Sequence, residues 1–225
     1  KFSYKKMDDK WFICDFYGNI LKKAPENLQQ KIEDYISSLD ENQSINDLPL
    51  ITVVTVVFNG AKTLEQTIQS VINQTHPNVE YIIINGGSTD ETMEIITTHE
   101  YEIDYWVSEK DNGIFEAMNK GIDLAFGEYI YFLNAGDEFV GCDILNDLIE
   151  IIRLDDKRHI IYSGDVVLYR LREYICIANL YPWIPHQGAF IKTNIMKEYK
   201  FDTNFRIFGD LDLWKRLFKD GRYEY

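Results

Sequence analysis

Cationic residues are scarce in this chain. Its 23 Lys and Arg stand against 37 Asp and Glu, a formal net charge of −14 over 225 residues. That field argues against a nucleic-acid backbone as partner and against broad docking on anionic lipid. A local basic patch stays open at Lys192, Lys197, Lys200 and the 215–222 segment, although scattered lysines on helix faces are usually solvated. Cysteine is scarcer still. Cys14, Cys142 and Cys176 are odd in number, far apart and without C-x-x-C spacing. They speak against a disulfide scaffold or a zinc site, and for a reduced, cytoplasmic setting. No apolar run reaches transmembrane length, and no signal peptide is visible. The chain opens on Lys1, so the natural N-terminus is expected to have been removed. Three signatures are missing as well: G-x-G-x-x-G after the first apolar run, a Walker A sequence, and a G-x-S-x-G elbow. Their absence excludes the dinucleotide fingerprint, the P-loop and the hydrolase nucleophile.

What is present is organised around residues 50 to 90. Leu50 to Val57 is apolar and β-branched and reads as a buried strand of a parallel sheet. Leu64, Ile68, Val71 and Ile72 mark one helix face, His76-Pro77 stops that helix, and Val79 to Ile84 is a second strand. Ser88 and Glu91 have capping-box spacing, which predicts a helix starting there. Ligands of such sheets sit beyond the carboxyl ends of the strands, where Asn59 and Asn85 fall. The polar strand ends suit a mononucleotide held without a glycine phosphate loop.

Residues 1–46 differ in character from the rest of the chain and read as an N-terminal appendage: a short strand in Trp11 to Tyr17, a helix in Pro25 to Leu39, then an acidic linker. Residues 47–225 form the main domain. Ile103 to Ser108 is a strand, and a helix carries Ile114, Met118 and Ile122 to a stop at Gly127. Tyr129 to Leu133 is a strand ending in N-A-G-D. Ile144 to Ile152 is a helix. Strands at 160–162, 166–169 and 174–178 come next, the last two antiparallel. His186-Gln187-Gly188 opens a strand to Ile191, Asn194 to Tyr199 is a short helix, and Asp210 to Lys219 is a helix with Leu213, Trp214 and Leu217 on its apolar face. The fold class is α/β: a mostly parallel central sheet with helices on both faces and a smaller antiparallel part. Asn59, Asn85, Asp111, Asn134, Asp137, His186 and Asp210 gather at strand ends.

TVVFN, IIINGGSTDET, SEKDNGIFEAMNKGI, YIYFLNAGDEF, PHQGAF and FRIFGDLDLWKRL occur in an order that resembles family 2 glycosyltransferases, most of all those that build bacterial surface polysaccharides. The likeness covers residues 51 to 220. It implies a GT-A fold, a nucleotide-diphosphate sugar donor (a UDP-sugar first), a saccharide or lipid-linked acceptor, Mn2+ or Mg2+, and inversion at the anomeric carbon. It also implies a chain continuing beyond Tyr225, and a cytoplasmic enzyme of the hexosyltransferase type that admits peripheral association at the inner face of the membrane. The oligomeric state stays open.

By the resemblance, Thr55, Phe58 and Asn59 line the nucleoside pocket. Asn85 stands where the family has an aspartate that accepts the uracil N–H. Asp111 matches a carboxylate near the donor, with a helix N-cap as the alternative. N-A-G-D occupies the place of the family's D-x-D metal motif. Asp137 is its one carboxylate and the expected metal ligand, with Asn134 on the donor. His186 falls near the diphosphate or metal, with a satisfied loop histidine as the alternative. His76, His99 and His159 are read as structural, as are Asn119 and Lys120. Asp210 matches the catalytic base, with a dipole-stabilised helix carboxylate as its alternative and Asp212 as a structural neighbour. A second reading is a catalytically inactive GT-A module that binds a nucleotide or a partner protein. A sugar-phosphate nucleotidyltransferase would need a glycine-rich basic N-terminal loop, which N-G-A-K-T-L does not provide.

Overall fold

A computed structural model of the 225-residue chain describes residues 3–14, 20–23, 26–38, 48–155, 160–164, 166–170, 173–177 and 185–220. The first elements are a three-stranded antiparallel sheet, β1 (Ser3–Met7), β2 (Lys10–Cys14) and β3 (Ile20–Lys23), and the helix α1 (Glu26–Ser38). The acidic linker, His159, Tyr181 and Trp183 lie outside the described residues.

The sequence ITVVTVV contains only β-branched residues, which suit a pleated strand and restrict a helix. It forms β4 (Ile51–Val57), buried along its whole length. Then come α2 (Leu64–Ile72), β5 (Val79–Asn85), α3 (Thr92–Thr98), β6 (Tyr105–Ser108), α4 (Ile114–Leu124), β7 (Tyr129–Phe132) and α5 (Ile144–Leu154). The remainder is β8 (Ile161–Ser163), β9 (Val166–Arg170), β10 (Glu173–Ile177), β11 (Ala189–Lys192), α6 (Thr193–Tyr199) and α7 (Gly209–Asp220). β9 and β10 pair antiparallel in a sheet of their own.

The central sheet has six strands in the order β6-β5-β4-β7-β11-β8. β6, β5, β4 and β7 run parallel, while β11 is antiparallel to both its neighbours. The chain steps from β4 outward through β5 to β6, then returns across to β7. That reversal leaves a crevice at the carboxyl ends of β4, β5 and β7.

Alternation along the strands feeds two apolar layers. Val53, Val57, Tyr81, Ile83 and Tyr131 pack with Leu64, Ile68 and Val71 of α2 and Leu148 and Ile152 of α5. Ile32 of α1 is fully buried in that layer. Val54, Val56, Ile82, Ile84 and Phe132 pack with Phe115, Met118 and Ile122 of α4 and Leu213, Trp214 and Leu217 of α7. Each fully buried aliphatic or aromatic side chain contributes about 1.5–3 kcal/mol, so the second layer fixes α7 firmly beneath the crevice. No helix among the described residues is long and apolar enough to cross a membrane.

Three local expectations are corrected. The helix after β5 starts at Thr92, because Ser88 turns to Asn85 and Asn59 instead of capping. Asp90, one residue before the N-cap Glu91, accepts at its Oδ1 from the Thr92 N–H at 3.2 Å and at its Oδ2 from the Ala61 N–H at 3.1 Å. Gly127 does not end a helix: α4 stops at Leu124, and a Cβ on Gly127 would lie 2.6 Å from the Thr52 nitrogen. Glycine there permits close backbone approach to β4. His186–Gly188 forms a single 3-10 turn after Pro185, and the strand begins at Ala189.

Candidate active site

The loop after β4 opens the crevice on one side. Phe58 is 66% exposed at the strand end, an aromatic face turned to solvent. Asn59 follows with φ of 51°, a left-handed conformation that Asn tolerates. Its Oδ1 accepts from the Thr89 N–H at 2.9 Å, and its own N–H donates to Ser88 Oγ at 2.8 Å. The loops after β4 and β5 are thereby tied together.

Two expected pocket residues do not reach the crevice. Thr55 is fully buried, and its hydroxyl meets the Tyr81 hydroxyl at 3.0 Å inside the core. Strand alternation points it sideways into the α2 layer. Asn85 is also 0% exposed. Its Oδ1 accepts from the Ser88 N–H at 3.1 Å and the Ser88 hydroxyl at 2.5 Å, while its Nδ2 donates to Ser108 Oγ and Met93 Sδ at 3.0 Å each. An amide has two donor and two acceptor positions, and all four are engaged. In this arrangement Asn85 shapes the 86–88 loop.

Asp111 comes to the crevice from the β6–α4 loop. It is not an N-cap, because Gly113 holds that position and Glu116 Oε2 accepts from the Asn112 N–H at 3.2 Å. Asp111 Oδ1 pairs with Lys120, which also reaches Glu109 at 2.8 Å. Asp111 Oδ2 is buried without a hydrogen-bond partner and lies 3.0 Å from where a Cβ on Gly86 would stand. Asn119 has the structural role expected of it, exchanging two hydrogen bonds with the Phe201 backbone.

On the other side, β7 ends in a tight turn in which the Asp137 N–H bonds the Asn134 carbonyl at 2.9 Å. Asn134 Nδ2 lies 3.1 Å from His186 Nε2, and His186 Nδ1 lies 3.2 Å from Asp210 Oδ2. A carboxylate only accepts, so His186 Nδ1 carries the proton in the bond to Asp210. One continuous chain of contacts thus joins the N-A-G-D turn to the first turn of α7. Phe208, at φ of 64°, and Gly209, whose added Cβ would sit 2.6 Å from the Phe115 ring, bring that first turn against α4. Asp212 faces elsewhere and pairs with Arg216 at 2.7 Å.

The two carboxylates are tuned in opposite directions. Burial raises the Asp137 carboxyl above the ordinary 3.8, with His186 only partly opposing. Burial also pushes Asp210 up, but the His186 hydrogen bond and charge and the Leu211 N–H outweigh it, and Asp210 is held below 3.8. Asn134 Oδ1 is buried and unpartnered. The turn therefore offers one carboxylate and one amide oxygen, both hard donors of the kind that Mg2+ and Mn2+ take alongside diphosphate oxygens and water. Among the described residues there is no cluster of three or more His, Cys, Asp or Glu that could hold a metal by itself.

Solved structures share this architecture. A mannosyltransferase of Pyrobaculum calidifontis, determined with GDP-Man and Mn2+, superposes with a TM-score of 0.59 at 17% identity over 82% of this chain and 57% of its own. TarS of S. aureus (residues 1–349), determined with UDP, gives 0.57 at 15% identity over 73% of this chain and 54% of its own. These likenesses establish the GT-A fold. A PGL/p-HBAD biosynthesis glycosyltransferase of Mycobacterium bovis is 30% identical over 186 residues, covering 76% of this chain and 71% of its own. The chain spans 66% of the length of a Mycobacterium tuberculosis relative and 59% of that of a Rickettsia prowazekii one. The profile for "Glycosyl transferase family 2" matches residues 52–208. With that match running through the crevice loops from β4 to the threshold of α7, the chain belongs to glycosyl transferase family 2.

Proposed function

We propose that the chain transfers a hexosyl group from a nucleotide-diphosphate donor to a saccharide or lipid-linked acceptor, in the synthesis of a bacterial surface polysaccharide. The observation that carries this reading is the chain of contacts Asn134–His186–Asp210 beside Asp137, at the carboxyl ends of parallel strands. The UDP in TarS and the GDP-Man in the Pyrobaculum mannosyltransferase support a nucleotide sugar, with a UDP-sugar the first candidate. On this reading Phe58 offers its exposed ring to the base, with Asn59 beside it. Asp111 offers its unpartnered oxygen to a ribose hydroxyl or a base N–H. The reaction runs in the cytoplasm, at the inner face of the membrane when the acceptor is a lipid carrier. Residues 1–46 are read as an appendage to this domain.

Asp137 and Asn134 Oδ1 would hold Mn2+ or Mg2+. A bound divalent cation neutralises the charge that develops on a departing diphosphate. The rest is the protein's own chemistry. The acceptor hydroxyl attacks the anomeric carbon, the bond to the diphosphate oxygen breaks on the opposite face, and the hydroxyl proton passes to Asp210. The configuration inverts. The His186 and Leu211 contacts orient the Asp210 carboxylate, and its depressed pKa keeps it ionised near neutrality. His186 thus acts through Asp210, holding it in place.

A second reading, a module that binds nucleotide without turnover, draws on the lone carboxylate of N-A-G-D and the fully engaged Asn85. Calorimetric titration with UDP and GDP, with and without Mn2+, tests binding; hydrolysis of radiolabelled nucleotide-sugars tests turnover. Asp137→Ala should abolish the Mn2+-dependent part of binding, a loss of about 10–100-fold. Absence of nucleoside diphosphate binding sinks both readings, and binding without hydrolysis or transfer favours the second.

A further inference from the structure

Thr67 lies in the middle of α2, 0% exposed, on the helix face that otherwise carries Leu64, Ile68 and Val71. Its hydroxyl leaves that apolar company for the N-A-G-D turn. The Thr67 hydroxyl donates to the Asp137 carbonyl at 2.9 Å, and its oxygen accepts from the Gly136 N–H at 3.0 Å. One side chain thus satisfies the donor and the acceptor of two successive residues, from 70 positions away. The bond back to its own helix, to the Thr63 carbonyl, is long at 3.4 Å. Gly136 needs the restraint. It stands at φ of 102°, where glycine is free to move in either direction.

The same helix and the residues just past its end continue the grip. Ser70 Oγ accepts from the Phe139 N–H at 3.3 Å. Gln74 donates to the Gly141 carbonyl at 2.6 Å and accepts from the Leu145 N–H at 3.2 Å. Thr67 and Ser70 of α2, with Gln74 just past the helix end, thus present a rail of polar groups along the loop from Asp137 to the start of α5.

We infer that Thr67 is a positioning residue, which fixes the backbone on both sides of the Asp137 side chain so that a single carboxylate can serve where two would be redundant. The inference rests on the proposed role of Asp137. A site with two carboxylates tolerates drift in either one. A site with one needs that one held still before the cation and diphosphate arrive. Partners that orient metal ligands typically influence affinity by about 10–100-fold.

The test compares Thr67→Val, which keeps the shape and removes the hydroxyl, with Thr67→Ser, which keeps the hydroxyl. Amide hydrogen exchange at Gly136 in the metal-free protein is the first readout. Thr67→Val should accelerate it by about tenfold or more, while Thr67→Ser should preserve the protection. Mn2+-dependent UDP binding by calorimetry is the second. It should weaken by about 10–100-fold in Thr67→Val and return in Thr67→Ser, with Mn2+-free binding unmoved. In an Asp137→Asn background Thr67→Val should cause no further loss. Unchanged Gly136 exchange in Thr67→Val overturns the positioning role. So does a loss of UDP binding that is equal with and without Mn2+. If Asp137→Asn leaves Mn2+-dependent binding intact, the metal assignment of Asp137 fails, and the exchange comparison still decides whether Thr67 holds the turn.

Discussion

Each end of the central sheet carries a buried carboxylate and a histidine, and the two ends use them differently. Where the strands begin, Glu80 accepts from the Thr52 hydroxyl at 2.5 Å and the Phe126 N–H at 2.8 Å, and Thr52 in turn accepts from the Gly127 N–H at 2.9 Å. His76 is buried there, its Nε2 at 3.2 Å from the Pro49 carbonyl and its Nδ1 without a partner. Where the strands end, Asp111 is 7% exposed at its side chain, yet one of its oxygens has no partner. His186 is linked onward to Asp210. A buried polar group whose partners are all internal stabilises the fold. One that is left unpaired is disfavoured in the free protein and gains when a ligand supplies the missing contact. Burial and charge alone would not separate Glu80 from Asp111; the count of their partners does.

The contrast is sharpest at Asp210. In Asp210→Asn, transfer should fall by about 10²–10⁴-fold while UDP binding is retained, because asparagine keeps the shape without the basicity. Asp212→Asn should stay near the parental rate, since its partner Arg216 lies on the far side of α7. A reversal of those two results reassigns the base.

The next largest effect belongs to the opposite end and concerns stability. Burial lowers His76 from 6.5 to about 4. A histidine with a depressed folded value binds fewer protons folded than unfolded. The stability that its neutral form allows is whole above pH 6.5 and drains away as pH falls toward 4. Urea unfolding at pH 7 and pH 4.5 should differ by about 2–3 kcal/mol from this residue alone. His76→Gln, which cannot charge, should remove that share of the pH dependence. An unchanged slope in the variant would mean that His76 is hydrated or already protonated in the fold.

The smallest effects make the comparison directly. Glu80→Ala should lower stability by about 1–3 kcal/mol, by leaving the Phe126 N–H unpaired, with UDP affinity per folded molecule unchanged. Asp111→Asn should move the unfolding midpoint less and weaken UDP binding by about 5–10-fold. If Asp111→Asn destabilises as strongly as Glu80→Ala and binding holds, the two ends of the sheet do not differ in kind.

Much of the scaffold was legible from residue patterns. The β-branched run of β4, the i, i+4, i+7 face of α2 and the Leu213-Trp214-Leu217 face of α7 are local periodicities, and each became the buried side of its element. The partner lists were not legible. Thr55 and Asn85 are polar residues in or ending strands and look alike in sequence to residues that reach a ligand. Strand alternation and the neighbouring Ser88, Ser108 and Tyr81 turned both inward. Ser88 and Glu91 had capping-box spacing, but a nearer acceptor on Asn85 took the serine. Thr67 gave no signal at all, since a threonine on an apolar helix face reads as a small core residue.

The sequence by itself determined the α/β class, the order of the strands and helices from β4 onward, and the family, because periodicity and each motif depend only on residues a few positions apart. Tertiary structure alone decided which polar groups meet. His186 finds Asn134 across 52 positions and Asp210 across 24, and Thr67 finds Asp137 across 70. Those encounters depend on the path of the chain through the sheet reversal at β4 and β7. The two apolar layers of that sheet fix the path to within the reach of a hydrogen bond, and no short window of sequence contains it.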